Sequence, residues 1–340
     1  MVYIILIFVI ILLVPQIYYA RYNRNFRKMV ENHKFFKRCD LIKEDGYREY
    51  YLTDASGFDI FVREYLPPSP KGLVHIIHGM AEHGGNYEDF ARFLREEGYL
   101  VVVHDHRGHG RSISSSYPSG YMKSSDELVS DSLLVNEHVR KIYKDLPVYL
   151  LGHSMGSMIA RLMVASDDKS FDKVFLTGTV AYNKLAPVGY FFFNVLSFYL
   201  GEKTPTKLIG LALGSNPDSL DFISYSKKNR EIKSKDRLRI FSFTYRYTGV
   251  LIDLNRKMVQ RKRYKAQNKN LEIYSLTGVD DIITRGARGL KESLEFLKSL
   301  GYQKVYSKVY PNMRHEILNE ADNYLVYKDI IDLIKNEKTL

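Results

Sequence analysis

Hydrophobic and polar positions divide the chain into three regions of different rhythm. From Val2 to Ala20 no side chain is charged and Gln16 is the one clearly polar residue, which predicts a continuous apolar helix. From about residue 47, short apolar stretches alternate with amphipathic ones. Strands are predicted over 48–53, 59–65, 73–78, 100–104, 148–151, 173–177, 271–277 and 305–310, and helices over 87–97, 127–143, 155–166, 288–300 and 321–336. Such alternation predicts an α/β fold, a mostly parallel eight-stranded sheet flanked by helices on both faces. The first two strands, joined by Asp54-Ala55-Ser56-Gly57, read instead as an antiparallel hairpin at one edge. Between 180 and 270 the alternation stops. Phe191-Phe192-Phe193, Val195-Leu196 and 208–213 are apolar there, and a basic, tyrosine-containing segment follows. Because the sheet pattern resumes at 271, this stretch is expected to be an inserted helical cap, of the kind that walls an apolar pocket. The organisation expected is a transmembrane anchor (1–20), a basic tether (21–46), a core made of 47–179 and 271–340, and the cap (180–270).

The N-terminal run is about long enough to cross a bilayer, and core helices rarely run this far without a charged face. A cleaved signal peptide fits less well, because no Lys or Arg precedes the run and a tyrosine stands where a cleavage site wants a small residue. Arg21, Arg24, Arg27, Lys28, Lys34, Lys37 and Arg38 follow the run, so an uncleaved anchor would leave the remainder of the chain in the cytoplasm, with Tyr18 and Tyr19 in the interfacial belt. Charge adds to this picture. The chain carries 50 Lys and Arg against 39 Asp and Glu, a net +11, and Lys227 to Lys265 alone holds 14 basic and 3 acidic residues. Two basic segments on an anchored protein suggest membrane lipids as partners through their anionic head groups, a solvated basic face being the alternative. No nucleic-acid-binding motif accompanies the charge, so no nucleic acid partner is expected. The single cysteine, Cys39, excludes an intrachain disulfide and gives no sign of an oxidising compartment.

Candidate chemistry begins at Gly152-His153-Ser154-Met155-Gly156, which follows an apolar strand and opens a helical pattern. A serine hydroxyl is a poor nucleophile at neutral pH. A hydrolase must therefore present it on a tight turn beside a base and backbone N–H donors, and glycines two before and two after leave room for that turn. The pentapeptide alone is expected by chance in about one chain in ten of this length, so its setting between strand and helix carries the argument. On this architecture an acid and then a histidine should follow, each after a late strand. The strand at 271–277 runs into Gly278-Val279-Asp280-Asp281, and the one at 305–310 into Pro311-Asn312-Met313-Arg314-His315. His315 can take the serine proton and return it to the leaving group, and an aspartate on its other nitrogen fixes the tautomer. Spacing leaves Asp280 and Asp281 both open. Met155 supplies one backbone N–H for an oxyanion hole and Met80, in the loop His78-Gly79-Met80-Ala81-Glu82-His83-Gly84-Gly85, the natural second. That loop lacks the lysine and spacing of a nucleotide-binding loop. His104-Asp105-His106-Arg107-Gly108-His109 invites a metal reading, but its spacing is not diagnostic and a structural loop is the expectation; no metal and no cofactor is called for.

Four ordered segments, His78 to His83, Asp105 to Ser112, Gly152 to Ser157 and Arg314 to Glu320, make the chain resemble the monoacylglycerol lipase and lysophospholipase branch of the α/β-hydrolases, also grouped with the serine aminopeptidases. The resemblance covers about 47–334. It implies an α/β-hydrolase fold, Ser154 as nucleophile, His315 as base, Met80 and Met155 as oxyanion donors, and Asp281 rather than Asp280 as the acid, since the family's acid lies three after a glycine. The expected activity is hydrolysis of carboxylic esters of single-acyl lipids, monoacylglycerol or lysophospholipid, through an acyl-enzyme. The cap matches little of the family pattern, and the apparent anchor is a departure from members that are often soluble. An aminopeptidase-like amidase is the alternative within the fold, though it would need an acidic pocket that the basic cap argues against. A non-enzymatic, membrane-tethered binding module is the alternative outside enzymes.

Overall fold

The computed structural model describes residues 2–32, 37–210 and 219–337. Positions 211–213 of the predicted apolar stretch and Lys34 lie outside the described residues. Strands β1 (Lys37–Glu44), β2 (Tyr47–Thr53), β3 (Asp59–Tyr65), β4 (Leu73–Ile77), β5 (Leu100–His104), β6 (Val148–His153), β7 (Lys173–Thr177), β10 (Glu272–Gly278) and β11 (Val305–Tyr310) form one sheet, in the order β1-β2-β3-β5-β4-β6-β7-β10-β11. The run from β5 to β11 is parallel, while β1, β2 and β3 pair antiparallel at one edge. β4, β5, β6 and β7 are buried along their whole length, which is why they read as mainly apolar runs without polar–apolar alternation. Helices α2 (Glu88–Glu96) and α9 (Asn323–Ile334) cover one face, and α3 (Ser125–Ile142) and α4 (Met155–Ser166) the other. α8 (Gly286–Ser299) links β10 to β11. Helix α3 starts two residues before its apolar periodicity because Ser124 and Glu127 form a capping box.

The sheet has one strand more than the eight expected. β1 pairs antiparallel with β2, from Lys37 opposite Thr53 to Glu44 opposite Tyr47, although nearly all its side chains are exposed. An edge strand in water needs no apolar face, and its charges protect the open edge, so it has no hydrophobic signature to read. Nor is 21–46 a plain tether. Helix α1 runs from Val2 through Asn32, beyond the expected anchor, and buries Pro15, Tyr19, Asn23 and Phe26 as a stripe.

That stripe docks on the domain. Between β7 and β10 the chain forms α5 (Ala186–Leu200), a two-residue strand β8 (Pro205–Thr206), α6 (Lys227–Lys235), a second short strand β9 (Phe243–Thr244) and α7 (Tyr245–Lys257). Gln16 Nε2 donates to the Phe191 carbonyl (3.0 Å), Asn194 Nδ2 donates to Gln16 Oε1 (2.7 Å), and Tyr199 OH donates to the Ile11 carbonyl (2.8 Å). Tyr19 therefore does not stand in an interfacial belt. Its ring is fully buried with the Arg246 guanidinium 3.6 Å above it. The basic 227–265 segment is likewise partly turned inward: Lys233, Arg246 and Lys257 are buried, and Lys257 pairs with Asp126 (2.7 Å) and Asp253 (2.8 Å). The histidines of 104–109 are buried in a hydrogen-bonded loop, where His106 N–H donates to His78 Nε2 (2.9 Å) and His109 Nε2 meets the Tyr247 hydroxyl (2.9 Å).

Candidate active site

The chain passes from β6 into α4 through the single residue Ser154. That sharp reversal holds Ser154 at φ +52° and ψ −119°, a conformation costly for a residue with a Cβ. Close approach explains the flanking glycines. A Cβ on Gly156 would lie 2.0 Å from the Ile77 carbonyl oxygen of β4, and one on Gly152 would lie 2.4 Å from the Gly156 carbonyl oxygen. The helix can begin there only if both lack a side chain. Met155 N–H then belongs to the first turn of α4, where backbone donors have no partner within the helix and the dipole favours negative charge.

His315 and Asp281 reach the same place from the carboxyl ends of β11 and β10. His315 Nδ1 lies 3.0 Å from both Asp281 carboxylate oxygens, and the two side chains are buried. Asp281 is itself held: Oδ1 accepts from Ile283 N–H (2.9 Å), and Oδ2 from the hydroxyls of Thr284 (2.9 Å) and Thr277 (3.1 Å). Burial alone would raise its pKa, but His315 and these donors outweigh it and bring it down to about 2. Burial would equally lower His315, yet the Asp281 carboxylate wins and raises it above its ordinary 6.5. An ionised acid thus faces an imidazole readied to accept a proton on its other nitrogen. Asp280, one residue earlier, points elsewhere and accepts from the Tyr225 hydroxyl (2.9 Å).

Met80 lies just after β4, in a loop whose Gly79 N–H donates to Glu82 Oε2 (2.9 Å). Ser154, His315, Met80 and Met155 line one cavity of about 440 Å³. Its remaining walls are largely apolar and come mostly from the insertion, with Leu185 just before α5, Val188, Phe192 and Phe193 on it and Leu251 and Ile252 on α7, while Met158, Ile282 and Ile283 of the core complete them. That volume falls within the roughly 300–1,000 Å³ usual for small-molecule sites, and the setting at the carboxyl ends of the strands, where order reverses around β4, is the usual one for open α/β sheets.

Several residues of this site are not legible in the sequence. Glu82 and Glu316 stand inside two of the motif segments without a role read for them there; they meet the ammonium of Lys233 from α6, which pairs with Glu82 Oε1 and lies 2.8 Å from Glu316 Oε1. Glu82, His153 and Glu316 approach closely enough to share a cation, and the Lys233 ammonium already bridges the two carboxylates. Lys233 stands in the sequence as one of many basic residues in the 227–265 run, and nothing local marks it as buried. Thr277 and Thr284 are ordinary strand-end and loop threonines until the fold sets them around Asp281.

The profile of the family described as serine aminopeptidase, S33, matches residues 68–322. A human monoglyceride lipase is 42% identical over 118 residues, covering 34% of this chain and 37% of that protein. In that alignment the chain spans little more than a third of the relative's length. A monoacylglycerol lipase from Mycolicibacterium smegmatis is 27% identical over 294 residues, 84% of this chain and 96% of that protein. Among solved structures, a thermostable carboxyl esterase from Bacillus coagulans in complex with glycerol superposes with a TM-score of 0.76 at 25% identity, covering 88% of this chain and 98% of that one.

Proposed function

The chain belongs to the serine aminopeptidase S33 family of α/β-hydrolases, on its monoacylglycerol lipase branch, and on that premise we propose that it is a carboxylic ester hydrolase acting on single-acyl lipids, monoacylglycerol or lysophospholipid. The observation that carries the reading is the strained Ser154, shared by one apolar-walled cavity with a His315 that is paired to an ionised Asp281. In the proposed reaction Ser154 Oγ attacks the ester carbonyl as its proton passes to His315 Nε2. The carbonyl oxygen becomes an oxyanion facing the N–H groups of Met80 and Met155. Collapse breaks the bond to the alcohol, which leaves with the proton from His315, and a water repeats the sequence on the acyl-enzyme to release the fatty acid.

The cavity also argues against an aminopeptidase-like amidase. Its two carboxylates, Glu82 and Glu316, are both engaged by Lys233, so neither is free to hold a substrate ammonium. The acyl chain would lie along α5 and α7. Monoacylglycerols, lysophospholipids and p-nitrophenyl esters form the deciding panel: the wild type should hydrolyse a lipid ester and Ser154→Ala should lose that activity. A wild type inactive on every member would refute the reading.

Membrane attachment is part of the same proposal. Helix α1 has a mean hydropathy of 2.5 over its apolar window, yet it touches α5 from Ile11 onward, so only residues 2–10 stand clear of the domain, about 14 Å at 1.5 Å per residue against a bilayer core of about 30 Å. The exposed Val188, Phe192 and Leu200 of α5 lie on the element against which α1 docks, so both helices would share the apolar layer. With the basic flank on the cytoplasmic side, a lipid would then reach the cavity from within the leaflet. Co-flotation with phosphatidylserine-containing vesicles should be lost when residues 2–10 are deleted, while turnover of a soluble ester persists; flotation undiminished by the deletion would rule out attachment through α1.

A further inference from the structure

Among the described residues of the insertion, Lys233 is the cationic side chain that pairs directly with carboxylates on both loops. It is 4% exposed, and its two partners come from different parts of the core: Glu82 from the loop that carries Met80, and Glu316 from the residue after His315. Each carboxylate has further work. The second oxygen of Glu82 accepts from Gly79 N–H (2.9 Å) and from the Tyr87 hydroxyl (2.8 Å), which fixes the backbone immediately before Met80. The second oxygen of Glu316 accepts from Asn229 Nδ2 (3.0 Å), one turn before Lys233 on the same face of α6. The insertion grips the histidine loop again at Glu320, whose carboxylate accepts from Ser224 Oγ (2.7 Å) and from the backbone N–H of Tyr225 (2.9 Å) and Arg314 (2.9 Å). The Arg314 to Glu320 segment thus serves as a socket for the insertion as well as the carrier of His315.

We propose that Lys233 is a positioning residue for the hydrolytic step: from α6 it clamps the Met80 loop against the His315 loop, so that the oxyanion donors and the base share one fixed register only while the insertion is seated. The proposal rests on the reading of Ser154 and His315 as nucleophile and base. A buried ammonium between two carboxylates is held by Coulombic attraction in a medium of low polarity, and removing it leaves like charges facing each other. Burial would raise Glu82, but Lys233 and His153 outweigh it and hold the carboxyl well below its usual range, while burial leaves Glu316 raised. The charged and titratable groups around His315 are Asp281 on the loop after β10, Glu316 beside it, Glu82 in the loop after β4, His153 at the end of β6, and Lys233 and Arg239 from the insertion. Loss of Lys233 takes positive charge from this set. Loss of the Glu316 charge takes negative charge from it. The two changes must move His315 in opposite directions.

The test compares wild type, Lys233→Met, Lys233→Arg and Glu316→Gln in the full chain, reading kcat and KM on a soluble p-nitrophenyl ester and the His315 ring titration by NMR. Lys233→Met should lower kcat by about 10- to 100-fold, short of the effect of deleting an oxyanion donor outright, with KM changed far less. Its His315 midpoint should rise. Glu316→Gln should lower that midpoint, and Lys233→Arg should return both readouts toward wild type. A purely structural lysine would lower the melting temperature without moving the midpoint in this paired fashion. If Lys233→Met does not fold, Glu316→Gln and Lys233→Arg still decide the matter. An unmoved midpoint in Glu316→Gln, or midpoints shifted the same way in the two charge-removing variants, overturns the proposal. Because the NMR titration needs no turnover, a wild type without esterase activity would sink the functional reading while the charge coupling is still judged.

Discussion

Replacing Gly156 by alanine tests whether catalysis depends on how closely α4 abuts β4. The added Cβ would lie 2.0 Å from the Ile77 carbonyl oxygen and 2.7 Å from that of His78. Both are backbone atoms, so no side-chain rotation relieves the contact. Reaching an ordinary separation of 3.4 Å calls for about 1.4 Å of movement. β4 cannot supply it, because its register is bound to β5 on one side and β6 on the other. The start of α4 must move instead, and with it Ser154 and the Met155 N–H. Overpacking of this kind costs about 1–3 kcal/mol of stability. A misplacement near 1 Å costs about 100-fold in rate, or about 2.7 kcal/mol at 1.36 kcal/mol per decade. Soluble p-nitrophenyl ester turnover, measured beside thermal melting on the same preparation, separates the two effects. The expected variant is folded, melts a few degrees lower, and has lost far more kcat than stability would explain. A Gly156→Ala protein with kcat within about threefold of wild type, equivalent to less than about 0.7 kcal/mol, would refute the argument that this contact sets the oxyanion geometry.

Three further outcomes follow from the site and its surroundings. Asp281→Asn should lower kcat by about 10,000-fold by releasing the wrong tautomer of His315, whereas the exposed Asp280→Asn should stay within about twofold; equal losses would break the assignment. The kcat/KM profile should rise with pH through a midpoint above 6.5, because His315 must be neutral to act and Asp281 holds its proton on. The sign for stability is the reverse: the His315 contribution is whole below 6.5 and fades as pH rises through its raised folded value, while that of Asp281 holds above 3.8 and fades as pH falls toward about 2. An acid limb below 6.5 in the wild type would contradict the pairing. Finally, Arg107→Met should destabilise the chain by about 3–5 kcal/mol in denaturant unfolding, since the fully buried guanidinium pairs with Asp131 through Nε (2.6 Å) and Nη2 (2.8 Å) and its loss strands that carboxylate; a loss under about 1 kcal/mol would show that water reaches the site.

Much of the fold and the candidate reacting groups can be read from local pattern. The buried strands announce themselves because a strand covered on both faces is nearly all apolar, as in Leu73 to Ile77 and Leu100 to His104, whose buried His75 and His104 pair with each other (3.2 Å). The elbow is legible because the turn at Ser154 tolerates only glycine at 152 and 156, and the order serine, acid, histidine follows from which strands end beside it. Other features depend on partners distant in the chain and leave no local trace. β1 is a strand only because β2 offers it an edge, and its own charged residues read as solvent-facing linker. Tyr19 looks like an interfacial aromatic until α5 and α7 bring Asn194 and Arg246 against α1. Between Asp280 and Asp281 the spacing is silent, and the geometry selects Asp281 because Thr277, Thr284 and His315 converge on it. Lys233 is the extreme case: one lysine in a basic run, turned inward because two buried carboxylates from separate loops need a single cation between them. Periodicity and steric tolerance are properties of a few neighbouring residues, so the sequence alone determined the sheet, the elbow and the class of chemistry. Charge pairing and close packing join residues brought together only when the chain is folded, so tertiary structure set Asp281 against His315, as the family resemblance implied, and it alone decided where α1 rests and how the insertion is fastened to the site.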